Sequence, residues 1–208
     1  MTSRSVITDW FLRRSWSAFP FQLETWDAIV AGKNGLLHAP TGSGKTYAVW
    51  LGALQALTGS GCKVLWITPL RALAKDITEA MTEAAVETGS GWTVGLRTGD
   101  TSAAEKQRQR TKLPDALVIT PESVHVLLST ATGTELLSRL QLVAVDEWHE
   151  LLGGKRGVQT ELALARLRRL NPSLRCWGIS ATIGNMDVAC DVLFAPWTSA
   201  SVESASLE

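Results

Sequence analysis

The sequence has no surplus of charge of either sign. Lys and Arg number 20, Asp and Glu number 20, and the formal net charge is 0 over 208 residues. Without a whole-domain basic field, any nucleic-acid binding rests on local groups rather than on bulk attraction. Cysteine is scarce. The three copies, Cys62, Cys176 and Cys190, stand far apart, with no CxxC pair and no Cys/His cluster to hold a metal. Reduced, partly buried thiols in a cytoplasmic protein are the expectation. No apolar run approaches transmembrane length. The N-terminus carries Asp9, Arg13 and Arg14 and lacks the apolar segment of a signal peptide. Internal repeats, coiled-coil heptads and low-complexity blocks are absent too.

What is present fits one α/β domain with a sizeable core. Apolar residues make up 45% and charged residues 19%, an ordinary soluble composition. Tryptophan is frequent, with nine copies. Trp50, Trp66 and Trp177 lie inside apolar segments and are expected in the core.

Short apolar runs alternate with longer helical stretches. Residues 35–39, 63–68, 93–98, 116–120, 142–145 and 174–180 read as strands buried on both faces. Residues 22–31, 45–57, 70–86, 103–110, 122–129 and 157–170 read as helices, and 184–196 as a final one. Strand–helix alternation at this spacing predicts βαβ units and a mostly parallel sheet between two helical layers. The expected division is a lead-in over 1–20, a domain over 21–196 and an unpatterned tail over 197–208, read as poorly ordered or a cloning remnant.

Thr68-Pro69 and Thr120-Pro121 each read as a Thr N-cap followed by Pro at the first helical position. Ser102 to Glu105 reads as a capping box. Such junctions lie at the carboxyl edge of a doubly wound sheet, where helix N-termini suit phosphate groups.

Two motifs carry the chemistry. Ala39-Pro40-Thr41-Gly42-Ser43-Gly44-Lys45-Thr46 lies between a strand and a helix, the setting of a P-loop. Gly42 and Gly44 let the backbone wrap around phosphate oxygens, with Thr41 and Ser43 in the same loop. Lys45 can reach the β- and γ-phosphates of ATP, and the Thr46 hydroxyl can ligate Mg2+. Asp146-Glu147-Trp148-His149 follows the apolar strand 142–145. Asp146 is the second candidate Mg2+ ligand, and Glu147 the group that orients and deprotonates the attacking water. His149 is placed to hydrogen-bond to Ser180-Ala181-Thr182, which follows the strand 174–180.

On these residues the chain resembles the superfamily 2 DExH-box helicases, with Ala39–Thr46, Asp146–His149 and Ser180–Thr182 as motifs I, II and III. Thr68-Pro69-Leu70-Arg71-Ala72-Leu73 resembles motif Ia. Arg97-Thr98-Gly99-Asp100-Thr101 and Thr120-Pro121-Glu122-Ser123 resemble the strand-contacting motifs. Phe19-Pro20-Phe21-Gln22 stands where the adenine-reading motif does. Within the superfamily the phrases resemble the Lhr-like group, and the bacterial ligase-associated DEXH-box helicases in particular. The likeness spans about residues 10–195.

The resemblance implies a RecA-like P-loop domain, the first of two in such motors. Gln22 would read the adenine edge, with Phe19 or Phe21 either beside the base or in the core. Pro69, Arg71, Thr98, Gly99, Thr120 and Pro121 would grip the backbone of a single nucleic-acid strand, DNA in the leading reading. His149, Ser180 and Thr182 would couple that grip to the ATP site. It further implies an ATP-dependent DNA helicase of 3′–5′ type acting in DNA repair, bacterial and nucleoid-associated, with a DNA ligase and a nuclease as partners. The second RecA-like domain, with its arginine fingers, would be a separate partner, leaving this lobe alone with weak ATPase activity. An RNA helicase lobe and a non-catalytic nucleotide-binding module are the alternative readings.

Overall fold

The computed structural model describes residues 2–181, 184–197 and 202–206. Seven strands form one parallel sheet in the order β3-β4-β2-β5-β6-β1-β7. They are β1 Asn34–His38, β2 Val64–Ile67, β3 Val94–Arg97, β4 Ala116–Ile119, β5 Leu142–Val145, β6 Arg175–Ser180 and β7 Val202–Ser206. Register aligns their carboxyl ends. His38 stands opposite Ser180, Val145 opposite Gly178 and Ile67 opposite Val145. The P-loop, the Asp-Glu pair and Ser180 therefore leave the sheet at one edge, as ligand sites of open α/β sheets do.

Helices cover both faces. Successive strand residues point to opposite sides, so Trp66 and Leu37 enter one core while Leu65, Ile67 and Leu36 enter the other. The first core is closed by α1 Arg4–Arg13, α2 Pro20–Val30, α3 Lys45–Ala56 and α4 Arg71–Glu87. The second is closed mainly by α6 Pro121–Leu128, α7 Ala131–Leu137, α8 Trp148–Leu151, α9 Lys155–Leu170 and α10 Met186–Phe194. α5, Ala103–Thr111, is a polar helix beyond β3. Trp50, Trp66 and Trp177 are buried as expected. Cys62 and Cys176 are buried free thiols, and burial pushes Cys62 up to about 12.

Besides the short helices α7 and α8, which the sequence reading left out, the fold departs from it in four places. The lead-in contains α1, which buries Ile7, Trp10 and Phe11 in the first core. Those residues sit at i, i+3 and i+4, the spacing of an apolar helix stripe. Thr68 is not an N-cap. Two further residues intervene before α4, whose N-cap position is Leu70, and the buried Thr68 hydroxyl has no hydrogen-bond partner among the described residues. Only half of the capping box at Ser102 forms. Its hydroxyl accepts from Glu105 N at 3.2 Å, while the Glu105 carboxylate turns to Arg108 and Gln109. Finally, residues 202–206 of the expected tail pair in parallel with β1. Edge pairing uses main-chain groups and needs no apolar periodicity.

Candidate nucleotide and strand-binding site

The P-loop follows β1 and opens α3. Gly42 and Gly44 hold φ values of 80° and 84°, a left-handed region where L side chains are strained. Lys45 is buried, and its Nζ donates to the carbonyls of Ala39 at 2.8 Å and Pro40 at 3.0 Å. The loop thus shares one cation among its own carbonyls. Burial lowers the Lys45 pKa, opposed by the negative charges of Glu147 and Asp146. Thr41, Gly42, Gly44 and Thr46 line a cavity of about 300 Å³ together with Lys45, Asp146 and Glu147. Ser43 donates its hydroxyl to Pro40 O at 2.7 Å.

Asp146 follows β5 directly, with 6% of its surface exposed. Oδ1 accepts from Glu147 N at 3.0 Å and Oδ2 from the Trp66 indole N–H at 3.4 Å. Burial first, then the Glu147 charge, push its pKa up to about 6. A carboxylate held this way is short of positive charge. A divalent cation beside it, with the Thr46 hydroxyl on the same cavity wall, answers that need, so the donor set fits Mg2+. Glu147 adopts φ 47° and ψ 47°, a left-handed conformation rare outside glycine. Such a backbone costs about 1–2 kcal/mol and persists at functional sites where the surroundings enforce it. The turn into α8 enforces it here, with Trp148 buried and its indole donating to Ala189 O at 2.9 Å.

His149 makes the contact expected of it. Its Nδ1 lies 2.8 Å from Ser180 Oγ and 3.4 Å from Glu147 Oε2. Thr182, the other residue assigned to that junction, lies outside the described residues.

A cavity of about 530 Å³ opens beside the P-loop. Gln22 forms part of its wall, with Oε1 accepting from Phe19 N at 2.9 Å and Nε2 donating to Gly44 O at 3.1 Å. The two phenylalanines divide. Phe21 is a core residue, whereas Phe19 is 54% exposed and lines the cavity. Trp16 and Tyr47 are further aromatic walls that sequence reasoning passed over.

A third cavity, about 330 Å³, gathers Arg71, Thr98, Gly99 and Thr120 from three separate segments. Pro69 and Pro121 are buried behind it, Pro121 starting α6. Arg156 braces this region, donating to Glu122 Oε1 at 2.7 Å and to Pro69 O at 3.1 Å. Its position on α9 gave no local signal. Among the described residues no helix is long and apolar enough to cross a membrane.

Known proteins share this arrangement. The chain is 37% identical over 197 residues to the Lhr helicase/probable uracil glycosylase of Mycolicibacterium smegmatis, a match covering 86% of this chain and 13% of that protein. It is 36% identical over 195 residues to the ATP-dependent helicase Lhr-Core of Methanocaldococcus jannaschii, covering 85% of this chain and 23% of that protein. The solved structure of the Mycobacterium smegmatis helicase Lhr bound to ssDNA and AMP-PNP superposes with a TM-score of 0.86 at 33% identity. It covers 100% of this chain and 28% of that one. These likenesses fall on a first RecA-like domain. Residues 19–189 match the DEAD/DEAH box helicase family profile, and the chain belongs to that family.

Proposed function

We propose that this chain is the ATP-binding lobe of an ATP-dependent DNA helicase that moves along a single strand, 3′ to 5′, in DNA repair. The single observation that carries the motor reading is the common sheet edge. The P-loop, Asp146-Glu147 and Ser180 leave it beside the strand cavity of Arg71, Thr98 and Thr120. Polarity, the repair role, a DNA ligase and a nuclease as partners, and a nucleoid location rest on the resemblance to ligase-associated helicases. The choice of DNA is supported by the ssDNA in the Mycobacterium smegmatis structure.

The geometry supports a role for each residue in this reading. The Lys45 ammonium exchanges the carbonyls of Ala39 and Pro40 for phosphate oxygens when ATP enters. Gln22, fixed to Gly44 and Phe19, presents its amide at the base cavity, and Phe19 supplies an apolar face. Asp146 and Thr46 would hold Mg2+, which supplies charge neutralisation of the phosphates. Glu147 orients the water and takes its proton, within reach of the His149 imidazole. A second lobe supplying arginine fingers is expected to speed turnover by about 10³–10⁵. This lobe alone should turn over slowly.

Glu147→Gln tests the reading. ATP binding retained with strand-stimulated hydrolysis abolished supports it. Unchanged function would favour a non-catalytic nucleotide-binding module. Competition between DNA and RNA strands of one sequence checks the substrate, since only RNA offers the 2′-OH.

A further inference from the structure

Arg97 ends β3 with 4% of its surface exposed. A buried guanidinium normally faces a carboxylate, because an unpaired desolvated charge is costly. Among the described residues no carboxylate is bonded to Arg97. Its Nη1 donates to two neutral acceptors, Lys106 O at 3.3 Å and Gln109 Oε1 at 3.2 Å. Burial, and then the like charge of Arg110, lower its pKa.

The open side of Arg97 is the strand cavity, and other cations converge there. Arg71, Lys106 and Arg110 line it with Arg97. Arg71 is answered by Asp100 at 3.5 Å, but among the described residues Lys106 Nζ donates only to Gly99 O, at 2.7 Å, and Arg110 Nη1 only to Gln107 Oε1, at 3.3 Å. The one acid lining the cavity, Glu122, is already bound by Arg156 at 2.7 Å. The cavity therefore holds positive charge that the described residues leave unbalanced, with a forked donor at its base. A phosphodiester oxygen pair matches such a fork.

We propose that Arg97 and Arg110, with Lys106, seat one backbone phosphate of the bound strand. α5 then carries a strand contact of its own, beyond those of Arg71, Thr98 and Thr120. This rests on the reading that the chain grips a single strand. A strand phosphate is favoured over a free anion because Thr98, Gly99 and Thr120 continue the cavity toward the other backbone contacts.

Anisotropy of the full chain with a labelled oligothymidylate, over a salt series, reads the seat. Arg110→Gln should weaken binding and flatten the log–log salt slope by about 0.7, the share of one phosphate on a single strand. Arg97→Lys keeps the charge but loses the fork, and should weaken binding as well. A walk of single neutral methylphosphonates supplies the positional test. One position that weakens the wild type should cease to matter in Arg110→Gln. Arg110 is exposed, so that variant folds whatever the burial of Arg97 demands, and circular dichroism checks both. If Arg71→Gln weakens binding while Arg97→Lys and Arg110→Gln leave slope and walk unchanged, the seat is overturned and the strand reading stands. If none of the three changes binding, the strand reading falls with it. Displacement by inorganic phosphate with no positional effect in the walk would mark a free-anion site and also overturn the seat.

Discussion

His149 Nδ1 and Ser180 Oγ stand 2.8 Å apart, joining the Asp-Glu-Trp-His turn to the end of β6. β6 runs between β5 and β1, so Ser180 lies between the Asp146-Glu147 carboxylates and the P-loop strand. The same Nδ1 is 3.4 Å from Glu147 Oε2. A shift of the β6 end would therefore move an imidazole that borders Glu147. Ser180→Ala is expected to leave nucleotide binding intact and to cut strand stimulation of hydrolysis about 5–150-fold, the span of typical coupling energies. Turnover measured with and without strand decides it. Equal loss in both would mean that the pair serves hydrolysis itself and not coupling.

Trp66 is a positioning residue for Asp146. Its indole N–H reaches Oδ2 across β2 and β5, while Glu147 N holds Oδ1. Trp66→Phe keeps an aromatic ring in the core and removes the donor. The Mg2+ concentration needed for tight nucleotide binding should rise about 10–100-fold, as losses of outer-shell partners do. Nucleotide affinity in EDTA should not change. Titrations of a fluorescent ATP analogue with and without Mg2+ separate the two, and a parallel fall in both would assign Trp66 to packing alone.

The P-loop and Asp146-Glu147 were legible because their chemistry fixes residue types at fixed spacing beside a strand end. The His149–Ser180 contact was legible for the same reason. Trp66 and Arg156 were not, because their partners lie 80 and 87 residues away and meet only through the fold. Arg97 was seen as part of a motif but not as a buried cation, since burial depends on α5 folding over β3. Thr68-Pro69 misled as a cap. Its dipeptide chemistry is that of a helix start, yet α4 begins at Arg71, where its side chain faces the strand cavity.

α1 also escaped the sequence reading, and its anchoring makes a testable claim. Trp10 is fully buried, its indole donates to Glu87 Oε2 at 2.6 Å, and the Arg14 guanidinium lies 4.8 Å from its ring centroid. Phe11 and Trp16, beside it, are walls of the cavity proposed to take the base. Trp10→Ala is expected to cost about 3–5 kcal/mol, the range for large buried aromatics. It should also weaken ATP binding more than binding of triphosphate lacking a base. Urea unfolding and the two affinities are the measurements. A stability loss with both affinities unchanged would show that α1 supports the core but not the base cavity.

Lys63 and Asp115 clip the opposite end of the sheet from the nucleotide site, and this pair contributes to the pH response of stability. The Lys63 ammonium is bonded to Asp115 Oδ1 and to the carbonyls of Gly59 and Gly61, with the Trp92 ring centroid 4.4 Å away. Asp115 Oδ2 accepts from Thr93 N at 2.9 Å and Thr93 Oγ1 at 2.8 Å. Burial raises the Asp115 pKa, but the hydrogen bonds from Lys63 and Thr93 outweigh it and the net shift is downward from 3.8. A carboxyl whose pKa is depressed on folding binds its proton more readily when unfolded. Its stabilisation is thus complete above the unfolded value and is lost as pH falls below 3.8 through the lower folded value. Asp115→Asn leaves the buried Lys63 without its counter-charge and should cost about 3–5 kcal/mol at neutral pH. The variant should also lose part of the acid-side slope of stability against pH. Urea midpoints of both proteins from neutral pH down to the acid limit of folding measure the difference. Parallel curves would show that Asp115 contributes packing and hydrogen bonds but no linked proton.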